Sequence, residues 1–157
     1  MIPAALLLID VQADFLRVDG FDDRPLGDLV GQQDWFATSL TASIEVDPDN
    51  SDNQVLAVRT NSGILRRPLW IPNEKAQMLF FRLRFGNQQN YSIGISSLTN
   101  PSEFGDFGPE IGMANQKNDL RIWEGDLSRY VGLTSLDPNT WHNIWMFVDN
   151  ANDHFQL

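Results

Sequence analysis

Cysteine is absent from the 157 residues, which removes disulfides, thiolate metal sites and a cysteine nucleophile together. Basic residues are scarce as well. Eleven Lys and Arg stand against 21 Asp and Glu, for a net charge of −10, and the only lysines are Lys75 and Lys117. That balance argues against nucleic acid or an anionic membrane surface as partner. No run of eighteen apolar residues occurs, so no helix of the chain is expected to insert in a membrane. There is no internal repeat, no low-complexity tract and no Gly-X-Ser-X-Gly elbow. Ala, Glu and Lys, the good helix formers, are too few for a helical protein.

What is there suits strands. Asn, Asp and Gly supply turns, and five Trp and ten Phe are spread along the chain. Apolar and polar residues alternate over 40–46, 54–60, 64–70, 77–85, 91–97, 110–113, 120–124, 140–149 and 154–157. Turn-forming joints separate them, among them Asp47-Pro48-Asp49-Asn50, Asn61-Ser62-Gly63, Gly86-Asn87, Asn100-Pro101 and Asp137-Pro138-Asn139. About ten short runs at this spacing predict one all-β domain, a two-sheet antiparallel sandwich or jelly roll. Alternation assigns faces. Leu79, Phe81, Leu83 and Phe85 are expected inside, with Met78, Phe80, Arg82 and Arg84 outside. Leu120 and Ile122 face in; Arg121 and Trp123 face out. Segment 140–149 is apolar on both sides, with Trp141, Trp145 and Phe147 against Ile144, Met146 and Val148, as a central strand would be. Trp35, Trp141 and Trp145 are assigned to packing.

The amino terminus, Met1 to Phe15, admits three readings. An apolar run, Ala4 to Ile9, precedes Val11-Gln12-Ala13, so residues 1–13 read as a possible truncated signal peptide that lacks its basic leader. On that reading the protein is secreted, extracellular or on the cell surface, and 14–157 is the mature domain. Alternatively, Ile9-Asp10-Val11-Gln12-Ala13-Asp14-Phe15 resembles the first strand of isochorismatase-like hydrolases, where the residue matching Asp10 is a catalytic acid/base. The nucleophilic cysteine of that family has no counterpart here. The third reading is a plain first strand.

A second resemblance runs along about nine-tenths of the chain. It rests on Asp19-Gly20-Phe21-Asp22-Asp23, Gly31-Gln32-Gln33-Asp34-Trp35, Leu79-Phe80-Phe81-Arg82-Leu83-Arg84-Phe85, Phe104-Gly105-Asp106-Phe107, and the stretch from Thr140 through Trp145 to Asn150. These segments resemble laminin-G-like, concanavalin A-like jelly-roll domains of exported bacterial proteins. The resemblance implies a lectin-like fold and a broad tendency to bind glycans or matrix. It also implies a further hairpin after the last strand, so the domain is expected to lack its final strand or strands.

Three chemistries follow. Glucanases of this fold carry Glu-X-Asp-X-X-Glu on one strand; Glu45-Val46-Asp47-Pro48-Asp49-Asn50 begins that pattern and ends in Asn. No catalytic residue is therefore assigned, although a glycanase or polysaccharide lyase on the same fold stays the alternative function and a structural spacer the second. For metal, Asp22, Asp23 and Asp149 are the positions at which a lectin-like sandwich would hold Ca²⁺; the acidic loop 47–53 lacks the glycine and glutamate of an EF-hand. The histidines, His142 and His154, have no spaced partner for zinc. For a polysaccharide or glycoconjugate, the expected contacts are outward aromatics beside hydrogen-bonding cations: Trp123, Arg121, Arg82, Arg84 and Trp70. The sequence leaves oligomeric state open.

Overall fold

The computed structural model describes residues 19–32, 34–38, 41–59, 63–69, 76–86, 91–108, 110–113, 119–124, 128–149, 151–152 and 154–157. Among them are twelve strands and no α-helix. In chain order these are β1 Gly27–Asp28, β2 Phe36–Thr38, β3 Ala42–Asp47, β4 Asn50–Val58, β5 Ile64–Arg66, β6 Ala76–Leu83, β7 Tyr91–Gly94, β8 Glu110–Met113, β9 Asp119–Glu124, β10 Arg129–Ser135, β11 His142–Asp149 and β12 His154–Gln156. All pairings are antiparallel. The chain is all-β, as its alternation predicts.

The described strands form four sheets, ordered β1-β3-β4, β2-β5, β10-β9-β8-β7 and β12-β11-β6. The last two make a sandwich around the larger core. In β6 and β11, Phe81 lies opposite Ile144 and Leu79 opposite Met146. From the facing sheet, Ile111 of β8 and Leu120 of β9 complete the cluster with Phe85 and Val148, and Ile93 packs against it. Each fully buried aliphatic here contributes roughly 1.5–3 kcal/mol. Because side chains alternate along a strand, the same register puts Met78, Phe80, Arg82, Asn143, Trp145 and Phe147 on the outer face of the β6–β11 layer.

A smaller core of Leu29, Ala42 and Ile44, flanked by Phe21, Trp35, Leu56 and Leu65, lies under β1, β3 and β4 and beside β5. A buried charge knot ties it. The Asp19 carboxylate accepts from Trp35 Nε1 (2.8 Å), Arg67 Nη1 (2.6 Å), Arg24 and the Phe21 amide (3.1 Å). Burial pushes this carboxyl up, but the hydrogen bonds from Arg24, Trp35 and Phe21 outweigh it and hold it below the ordinary aspartate value.

The β3–β4 hairpin turns on Pro48-Asp49, with Asp47 opposite Asn50 and a bulge between Val46 and Asp47. Proline presets the first turn dihedral, and Asp47 Oδ1 accepts the Asp49 amide at 2.9 Å, an Asx turn. Three strands were not anticipated. β1 and β2 are only two and three residues long. β10, Arg-Tyr-Val-Gly-Leu-Thr-Ser, has a glycine and a register shift between Gly132 and Thr134 that blur its alternation. Where one sandwich was expected, the described strands group around two cores.

Candidate functional site

The outer face of β6 and β11 carries adjoining exposed apolar residues. Met78, Phe80 and Trp145 are 49%, 47% and 46% exposed. Their strands bring them together, with Trp145 opposite Phe80 and Phe147 opposite Met78. The Phe80 and Trp145 rings lie 4.5 Å apart, tilted at 41°. Scattered exposed apolar residues are ordinary, whereas adjoining ones on one rigid sheet mark a contact surface. Trp145, expected in packing, is therefore a surface residue: β11 is apolar on both faces, but only its inner face is covered among the described residues.

Polar groups continue the platform. Arg82 lies opposite Asn143, and its guanidinium sits 4.8 Å from the centre of the Trp141 ring. Trp141 is fixed from below, since its Nε1 donates to Asp47 Oδ1 at 3.1 Å and so ties the sandwich to the β3–β4 hairpin. Next comes Arg84, 3.4 Å from Asp49 Oδ2. Arg84 and Trp141 form one wall of a cleft of about 320 Å³ whose other walls include Glu45, Val55, Ala57 and Arg59. A strip of aromatic faces thus leads into a polar cleft carrying two guanidinium groups.

The acids of this region stay ionised. Hydrogen bonds from Arg59 and Ser43 hold Glu45 below the ordinary glutamate value, against some burial. Burial raises Asp47, but donation by the Asp49 amide, Asn53 and Trp141, with the nearby Arg82 charge, brings its net value below the ordinary one. A glycosidase general acid needs a raised carboxyl. Glu45 and Asp47 are tuned the opposite way.

The sequence-selected residues divide between two surfaces. Arg82 and Arg84 join the platform just described. Arg121 and Trp123 lie on β9, across the sandwich core, and face outward from the other layer. Trp123 is 37% exposed and meets Tyr130 edge-on at 5.1 Å; Arg121 lies 4.7 Å over the same Tyr130 ring. Arg82 and Arg84 therefore do not converge with Arg121 and Trp123. Trp70 lies outside the described residues, as do Asp10 and the whole of 1–18. Asp22 accepts the Gln54 amide at 3.0 Å beside the smaller core. Asp149 caps the β11–β12 turn, accepting from Ala151 N, Asn152 N and Asn152 Nδ2. Asp22, Asp23 and Asp149 are not gathered at one point, and no group of three or more His, Asp or Glu that could hold a metal is found among the described residues. His142 bonds the Asp137 carbonyl at 2.8 Å, and His154 stands beside Asp149 on β12. A second cleft, about 410 Å³, runs along β11 between Leu133, Leu136, Ile144 and Leu157 and takes in the platform residues Asn143 and Trp145.

No family model, curated protein or solved structure matches this chain. The functional reading therefore rests on the surface itself. Sequence reasoning did not single out Phe80, Met78, Asn143 or Trp145 as candidates, although segment 140–149 reads as apolar on both faces.

Proposed function

We propose that this chain is a non-catalytic carbohydrate- or matrix-binding module of an exported or cell-surface protein, built on a concanavalin A-like jelly roll. The observation that carries the reading is the outward Phe80–Trp145 pair, flanked by Met78, Arg82 and Asn143 on one sheet. Pyranose rings present CH groups that stack on aromatic faces, and their hydroxyls pair with planar donors such as guanidinium and amide. A rigid sheet holds such contacts without an ordering cost on binding. The ionised state of Glu45 and Asp47 favours binding over the glycanase alternative.

Affinity electrophoresis through a panel of soluble polysaccharides tests the reading. The wild-type chain is expected to be retarded by at least one of them. Trp145→Ala is expected to abolish retardation while leaving the urea midpoint nearly unchanged, because the ring is half exposed. Trp123→Ala, on the opposite layer, keeps retardation if the β6–β11 platform is the site. Loss with Trp123→Ala and retention with Trp145→Ala would move the site to the other face, and absence of retardation by every glycan would sink the reading.

A further inference from the structure

Resting on the glycan-binding reading above, we infer that the platform selects acidic sugars, specifically the carboxylates of uronic acid residues, through Arg82. In a chain of net charge −10, cations are ordinarily neutralised by neighbouring acids. Arg24 and Arg67 meet Asp19, Arg59 meets Glu45, and Arg84 lies against Asp49. Arg82, like Arg66, Arg121 and Arg129, has no carboxylate within ion-pair distance among the described residues. Of these four it is the one on the β6–β11 platform, where it is seated on the Trp141 ring and its charge is felt by Asp47.

The acids bordering the platform are already engaged. Asp47, beneath Trp141, takes Asp49 N and Trp141 Nε1 on one oxygen and Asn53 Nδ2 on the other. Glu45 is held by Arg59 and Ser43, and Asp149 by its turn amides. Arg82 is an exposed residue, so guanidinium N–H groups remain accessible from solvent. Such groups match a carboxylate in a bidentate pair, which a compact ammonium group reproduces poorly. Arg84 stands two residues along the same face, about 7 Å away, at the mouth of the cleft. The aromatic pair supplies stacking for the ring that bears the carboxylate, so sugar shape and charge are read side by side.

The sign of the whole protein makes this testable. A polyanion is repelled by a chain of net charge −10, so general ion exchange cannot hold the two together. Retention by a polyuronate then reports a local site. Dissociation constants are measured by isothermal calorimetry with oligogalacturonate and oligoalginate against neutral cello- and laminari-oligosaccharides of equal length. Wild type is expected to favour the acidic oligosaccharides by about tenfold or more, the scale of one charge-assisted hydrogen-bonded pair. Arg82→Gln is expected to remove that preference, weakening the acidic oligosaccharides more than the neutral ones, with Arg82→Lys recovering only part. Equal affinity for acidic and neutral sugars, or an acidic preference that survives Arg82→Gln, overturns the inference while leaving glycan binding intact. Failure of every oligosaccharide to bind the wild type removes both the inference and the reading it rests on.

Discussion

Replacing Asp19 by Asn isolates the charge of the buried knot. The substitution keeps shape and an oxygen for the Phe21 amide, so the left-handed turn at Phe21 (φ 63°) retains its acceptor. What disappears is the negative charge facing Arg24 and Arg67, whose side chains are 4% and 21% exposed, and the strength of the bond from Trp35 Nε1. Removing one partner of a buried ion pair costs about 3–5 kcal/mol. For a chain of this length that is a fall in Tm of roughly 6–20 °C, at about 2–4 °C per kcal/mol. Urea titration followed by tryptophan fluorescence measures it directly. The pH dependence carries the same sign. Asp19 has a folded pKa below its unfolded value of 3.8, so its contribution is complete above that value and is lost as pH falls through the folded pKa. The wild type should lose stability in that acid range, and the Asn variant should lose less. A change within about 0.5 kcal/mol, as for an ordinary surface substitution, would refute the view that this knot holds the smaller core.

Other outcomes follow from the same structure. Met146→Ala, at a position 1% exposed between the two sandwich sheets, is expected to lower stability by about 2–5 kcal/mol in urea titration. Arg59→Ala breaks only a surface pair with Glu45, and its urea midpoint should match the wild type at high salt. Addition of CaCl₂ after EGTA treatment should leave Tm unchanged, because the Asp149 oxygens already accept three N–H donors; a rise would place a cation at that turn.

Much of the fold was legible because strands buried on one face announce it. The alternation of β6 put Leu79, Phe81, Leu83 and Phe85 inside, where they pack against β11 and the facing sheet. Turn chemistry located the β3–β4 hairpin from Asp47-Pro48-Asp49-Asn50 alone. Alternation says which residues share a face but nothing about what covers it. Hence Trp145 was assigned to packing, and Arg121 was grouped with Arg82 although they point out of opposite layers. Short strands such as β1 and β2 carry too few residues to show a period. The smaller core is tied by Asp19, Trp35 and Arg67, distant in sequence and joined by buried hydrogen bonds and by the seat of Arg67 on the Trp35 ring.

Four arginines lie over aromatic rings among the described residues: Arg66 on Phe36, Arg67 on Trp35, Arg82 on Trp141 and Arg121 on Tyr130. Ordinary proteins show about one such pair per 70–80 residues, so the device is used more often here than chance would give. The seats are not equivalent. Arg66 also donates to Thr99 O, and Arg67 to Asp19, so both serve the fold. Arg121 shares its ring with a buried acid, for the Tyr130 hydroxyl donates at 2.5 Å to Glu110, which is 4% exposed. Burial and the Glu110 carboxylate raise the Tyr130 pKa, while Arg121 pulls against them. Arg121 therefore acts on Tyr130 within its own layer, whereas Arg82 acts on Asp47 from the other. With only two tyrosines in the chain, a Tyr91→Phe background makes Tyr130 the sole phenol that titrates. In that background Arg121→Gln should move phenolate absorbance to higher pH and Glu110→Gln to lower pH, with Arg82→Gln leaving it in place. Equal displacement by Arg82→Gln and Arg121→Gln would show that the two guanidinium groups do not occupy separate faces.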